Sequence, residues 1–118
     1  MNEVELTLPI PPSDNRYYGK AKGKRHKYVT LSGRIFKHEV AVIVANMGLR
    51  GTFGRAKLAV LVTLHLPAGG DIQNRLKALC DGLEESYLFD NDRQIDDLRI
   101  IRGHPVKGGR CVVKLWRI

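Results

Sequence analysis

Seven of the twelve acidic residues fall within seventeen positions: Asp81, Glu84, Glu85, Asp90, Asp92, Asp96 and Asp97, with Asp71 just upstream. The chain as a whole carries twenty Lys and Arg and a formal charge of +8, so this local acidity runs against the composition. Carboxylates that converge in twos and threes can hold Mg²⁺, a hard cation that prefers oxygen ligands and keeps several waters. Such a cation supplies an activated water and offsets the charge that builds on a phosphodiester under attack. An acidic pocket within a basic surface is therefore the electrostatics expected of a protein that cuts a polyanion. Plainer roles are open to the same residues. Asp71, after two glycines, can cap a helix. Lys77 and Asp81, four apart, can form a solvated helix pair worth about 0.3–0.5 kcal/mol. Asp90-Asn91-Asp92 can be a simple turn, and Glu84, Glu85, Asp96 and Asp97 read as surface charges.

The elements that would position these residues follow from the apolar spacing. Val4, Leu6 and Leu8 alternate with Glu5 and Thr7 as an opening strand, which Pro9, Pro11 and Pro12 stop. Arg16 to Lys27 reads as a basic loop, followed by a short extended piece from Tyr28 to Leu31. Ser32 is placed to cap a helix running to Met47 with Gly48 as its stop. The predicted core stripe of that helix is Phe36, Val40, Ile43 and Met47. Leu58, Val60, Val62, Leu64 and Leu66 alternate strictly as a strand. Asp71 opens a second helix, whose predicted buried stripe is Ile72, Leu76, Leu79, Cys80 and Leu83, with Gln73, Asn74, Lys77 and Asp81 elsewhere on its surface. Two further strands, Gln94 to Arg102 and Arg110 to Trp116, are joined by His104–Gly109. This order predicts one α+β domain over all 118 residues, with two main helices packed on a sheet.

Charge and composition narrow the partner. A balance of +8 favours a polyanion, because each phosphate neutralised releases condensed counterions. An anionic membrane is disfavoured, since no amphipathic basic helix, lipid site or apolar run of about twenty residues is present. RNA binders of ribosomal type share the composition, but no RNA-recognition signature accompanies it. The first residues lack the charged and apolar regions of a signal peptide. Cys80 and Cys111 lack a C-x-x-C spacing and read as reduced, unlinked thiols, which places the chain in the cytoplasm. His26, His38, His65 and His104 have no metal-ligand spacing and read as ordinary surface or strand residues.

Three segments, in order, add a resemblance. P-P-S-x-N-R-Y-Y near the start, G-D-I-Q-N-R-L-K-A-L-C-D-G-L in the middle and F-D-N-D-R-Q-I after it resemble the RusA family of Holliday-junction resolvases. The likeness extends from Leu6 to the K-G-G-R turn at Lys107–Arg110. It implies a small homodimer with a mixed sheet that nicks opposing strands of a four-way DNA junction with Mg²⁺ or Mn²⁺ and no organic cofactor. Two-fold symmetry suits such a task, because it offers two equivalent sites to a nearly symmetric junction. Position by position, Asp71 and Asp92 match catalytic, metal-binding aspartates, and Lys77 matches the lysine that stabilises phosphate charge or orients the water. Gln73 stands where the family pattern D-x-D-N has its second aspartate. Its carbonyl can still ligate a metal, but it brings no negative charge and cannot act as a base. Either Asp81 or Asp90 replaces the missing ligand, or the chain binds junctions without cutting, or the position has been altered. The residues expected to touch DNA are Arg16, Lys20, Lys22, Lys24, Arg25 and Lys27, together with Asn15 and Asn74, which match family asparagines.

Overall fold

The computed structural model describes residues 3–20, 22–23 and 26–118. It is an α+β arrangement built on a mixed four-stranded sheet. Strand β1 (Glu3–Leu8) pairs antiparallel with β6 (Arg110–Arg117). Strand β6 pairs antiparallel with β4 (Leu58–His65), which pairs parallel with β5 (Ile95–Arg102). Pairing register puts Val4, Leu6, Leu8, Cys111, Val113, Leu115, Leu58, Val60, Val62 and Leu64 on one face. That face is buried, and a contiguous core joins it to Phe36, Val40 and Val44 of one helix and Ala78, Leu79 and Leu83 of another.

The first long helix, α2 (Leu31–Asn46), is preceded by a one-turn helix, α1 (Asp14–Tyr17), and a two-stranded hairpin, β2 (Tyr18–Lys20) with β3 (Lys27–Val29). The basic stretch expected to be a loop is thus largely a hairpin. Gly19 permits it: a Cβ there would meet the Tyr28 ring at 2.5 Å, so only glycine lets the two short strands close. The cap of α2 is Thr30 rather than Ser32. Its hydroxyl oxygen accepts from Gly33 N at 3.2 Å and the hydroxyl donates back to α1 backbone carbonyls. One group therefore both caps the helix and fastens α1 to it.

The core face of α2 is Gly33, Phe36, Val40 and Val44, whereas Ile43 is half-buried and Met47 is 52% exposed. After Val40 the buried position is Val44, at i+4, rather than Ile43 and Met47 at i+3 and i+7. Gly48 ends it in the left-handed region at φ 67°, as its position predicts.

The second long helix, α3 (Leu76–Glu85), starts later than expected, and Asp71 does not cap it. A 3-10 turn, Gln73–Arg75, intervenes, and Ile72 stands at its N-cap with no side-chain cap bond. The helix buries Ala78, Leu79, Gly82 and Leu83, leaving Leu76 and Cys80 half-buried. At Gly82 it crosses α2 closely, where a Cβ would sit 3.2 Å from the Phe36 ring. Both cysteines are free thiols, Cys111 buried and Cys80 partly so. Burial, first of all, pushes Cys80 up to about 11, and burial alone pushes Cys111 up to about 12. Among the described residues no helix is long and apolar enough to cross a membrane.

Candidate active site

Asp71 is exposed on the coil between β4 and the 3-10 turn. Gly70 precedes it at φ 135°, a backbone region that side-chain-bearing residues rarely adopt. The Gly70 carbonyl accepts from Arg102 Nη2 at the end of β5, so the sheet edge holds the loop that carries Asp71. The Asp71 carboxylate has no hydrogen bond or ion pair among the described residues. Gln73 is exposed. Asn74 follows half-buried, and its Oδ1 is buried without a partner. An orphaned buried acceptor is costly, and a donor or cation offsets that cost.

Asp92 is positioned by a tighter device. It opens a 3-10 turn, Asp92–Gln94, capped by Asn91, whose Oδ1 accepts from Arg93 N at 2.8 Å. Gln94, only 8% exposed, closes the capping box, its Oε1 accepting from Asn91 N at 2.9 Å and from Asp90 N at 3.1 Å. Its Nε2 donates to Gly54 O at 3.0 Å and Ala56 O at 2.6 Å, tying the turn to the segment before β4. The Asp92 carboxylate itself, like that of Asp71, has no side-chain partner among the described residues.

Between these turns lies one face of α3. Lys77 Nζ stands 3.0 Å from Asp81 Oδ1, and the buried Tyr17 donates its hydroxyl to Asp81 Oδ2 at 2.6 Å. The bonded Asp81 carboxylate holds Lys77 above its ordinary value, and Asp92 adds to the effect, so Lys77 is an ammonium at neutral pH. Burial, then the bond to Asp81, drives Tyr17 far upward, so its proton stays on the phenol. Glu84 is raised first by burial and then by the negative charges of Asp92 and Asp81. Asp81, Glu84 and Asp92 therefore form a negative patch in which Lys77 is the cation that lowers Glu84 most.

This arrangement sorts the expected ligands. Lys77 lies on α3 and feels the charge of Asp92 on its capped turn, whereas Asp71, Gln73 and Asn74 belong to the loop and turn leading into α3. Asp81 is engaged twice, by Tyr17 and Lys77, and Asp90 lies 3.4 Å from Arg55. Neither is a free replacement for the missing carboxylate. Among the described residues no three His, Cys, Asp or Glu side chains group closely enough to hold a metal ion. What does suit a hard divalent cation is the donor chemistry: two unpartnered carboxylates, Asp71 and Asp92, and the amide oxygens of Gln73 and Asn74.

The described cations expected to meet DNA are carried on α1 and the hairpin. Asn15, Arg16, Lys20, Lys22 and Lys27 are exposed. Lys27 Nζ stands 5.2 Å from the Tyr18 ring centroid, and Tyr28 is 53% exposed beside it. Lys24 and Arg25 lie outside the described residues. Tyr17 joins this basic module to α3 through Asp81. Sequence reasoning missed Tyr17, Gln94 and Arg102 as positioning residues. Only Gln94 left a signal, an Asn three residues before a Gln at the start of a strand, which is a capping-box spacing.

Residues 9–115 match the family described as Endodeoxyribonuclease RusA. The chain belongs to the RusA family. A crossover junction endodeoxyribonuclease of Enterobacteria phage HK97 is 34% identical over 120 residues, covering 100% of this chain and 98% of the relative. The crossover junction endodeoxyribonuclease RusA of Escherichia coli K12 is 34% identical over 113 residues, covering 93% and 91% of the two chains. Its counterpart from Shigella sonnei is 33% identical over the same length. Within this RusA-family chain, the three segments that first suggested kinship become α1 with its approach, the turn leading into α3, and the capped turn before β5.

Proposed function

We propose that this chain is a structure-specific endodeoxyribonuclease that resolves four-way DNA junctions as a homodimer in recombination and repair. The observation that carries this reading is the end-to-end likeness to relatives named as crossover junction endodeoxyribonucleases. The unpartnered state of Asp71 and Asp92 supports it. Asp71, Asp92 and the Gln73 amide oxygen would hold Mg²⁺ or Mn²⁺, with Asn74 Oδ1 as a further neutral donor. When bound, such an ion supplies an acidified water and offsets charge on the scissile phosphate.

The chain's own groups do the rest. Lys77, kept protonated by Asp81, offsets negative charge developing on the phosphate oxygens. Tyr17 orients Asp81, and through it Lys77. The Gln94 bonds hold Asp92 in place before substrate arrives. Lys20, Lys22 and Lys27 on the hairpin, with Arg16, attract the DNA backbone. Neutralising Lys20 and Lys22 together weakens junction binding and flattens its dependence on salt; an unchanged slope removes the hairpin from the DNA interface.

A second reading rests on Gln73: a junction-binding protein that does not cut. The absence of a third grouped carboxylate among the described residues favours it. Incubating a synthetic four-way junction with and without Mg²⁺ or Mn²⁺ separates the two. Paired symmetric nicks by the unaltered chain support the nuclease. Binding without nicks, with cleavage appearing only in Gln73→Asp, supports the silent binder. The mass in solution, by light scattering, tests the dimer independently.

A further inference from the structure

A cleft of about 410 Å³ lies beside the candidate centre, between the Pro9–Pro12 segment, the start of α2 and the chain leaving β4. Pro9, Ile10, Ile35 and Leu66 give it apolar walls, and Pro67, Ala68 and Gly69 form the side that leads directly to Asp71. Two guanidinium groups, Arg16 and Arg75, line it against one carboxylate, Glu39. Arg75 Nη1 donates to Pro11 O at 2.8 Å, which fixes the side chain in the wall. Its Nε–H is buried and has no acceptor among the described residues. Arg16 lines the same cleft, so two like charges share its wall.

Such a pair costs stability unless an anion joins it, and a buried N–H without an acceptor costs more. The neighbouring residue has the opposite lack: Asn74 Oδ1 is a buried acceptor without a donor. Adjacent residues that want an anion and a cation fit the ionic surroundings of a DNA strand better than they fit a packed core. Volume and apolar walls suit more than a bare phosphate.

We propose that this cleft is a nucleotide subsite: Arg75 and Arg16 take a backbone phosphate next to the one at Asp71, and the apolar walls take the attached sugar and base. The inference rests on the DNA-cutting reading above and adds to it a residue, Arg75, that no motif singled out. Glu39 opposes the phosphate and limits its affinity.

The test uses the full chain, a fluorescent four-way junction and a chelator, so that no strand is cut. Arg75→Gln is expected to weaken binding about tenfold and to lower the salt slope by about one. Junctions carrying a single neutral methylphosphonate at successive backbone positions give the decisive readout. One position should penalise the unaltered chain, and that penalty should vanish in Arg75→Gln. Thermal melting accompanies each variant. Glu39→Gln, exposed and with no hydrogen-bond or ion-pair partner among the described residues to lose, should tighten binding several-fold and covers the case in which Arg75→Gln does not fold. A folded Arg75→Gln with unchanged affinity and slope overturns the subsite, as does a methylphosphonate penalty that persists at every position. An unaltered chain that binds no junction at all overturns the nuclease reading and the subsite with it.

Discussion

The two turns that carry the unpartnered aspartates are built to different standards. Asp92 stands on a capped turn in which one buried glutamine makes four hydrogen bonds. Asp71 stands on a glycine-rich coil held by one bond from Arg102 to Gly70, with Arg75 fixing the far side of the turn to Pro11. One carboxylate is fixed before any ligand arrives, and the other sits where the backbone can adjust. Under the proposed function, a rigid arm and an adjustable arm would let a cation and a phosphate draw the second into place, at some cost in binding.

The contrast can be broken most severely at the carboxylates. Asp92→Asn and Asp71→Asn are each expected to lower junction cleavage by about 10²-fold or more while leaving binding within a few-fold, measured by single-turnover nicking and gel shift. Equal cleavage by either variant removes that aspartate from the chemistry. Next comes the rigid arm. Gln94→Ala leaves the Gly54 and Ala56 carbonyls without their donor and should cost about 2–3 kcal/mol in denaturant unfolding, with cleavage falling alongside.

The adjustable arm should answer differently. Arg102→Ala is expected to reduce cleavage about tenfold with a stability change of less than about 1 kcal/mol. A stability loss as large as that of Gln94→Ala would erase the distinction between the arms.

A pH profile sharpens the role of the face between them. Lys77 is raised by Asp81, so its proton is fully present below the ordinary lysine value and is lost only above the raised one. Cleavage should therefore hold on the alkaline side, and Asp81→Asn should move the alkaline limb to lower pH. An unmoved limb would assign the titration to another group. The smallest effect belongs to Glu84. Its folded pKa is raised, so its ionised form weakens the fold at neutral pH and its protonated form does not. Glu84→Gln should stabilise slightly at neutral pH, and that gain should vanish below the ordinary carboxylate range.

The sheet strands were legible because alternation marks a half-buried strand directly: β1, β4, β5 and β6 fall within a residue or two of expectation. The candidate centre was named from motif and order, at Asp71, Lys77 and Asp92, and the structure places these residues on the coil before α3, on α3 and on the capped turn before β5. What stayed hidden depends on tertiary contact. Thr30 displaced Ser32 as the cap because its hydroxyl also reaches α1, and no local pattern announces that. The basic stretch became a hairpin because Gly19 admits the Tyr28 ring across the turn. Met47 fell off the buried stripe because it is the C-cap of α2, beside the left-handed Gly48 that ends the helix. Arg75 lies inside the motif that leads into α3 but was given no role there, and only the cleft distinguishes it.

The raised thiols have a practical consequence. With Cys80 near 11 and Cys111 near 12, on the order of one thiol in ten thousand or fewer is ionised at neutral pH, and maleimide-type reagents need the thiolate. The native sulfurs should stay quiet during brief labelling, so a single new cysteine at Lys22 would take up a dye almost alone. That dye would watch the hairpin meet a junction in real time, with both native cysteines left in place.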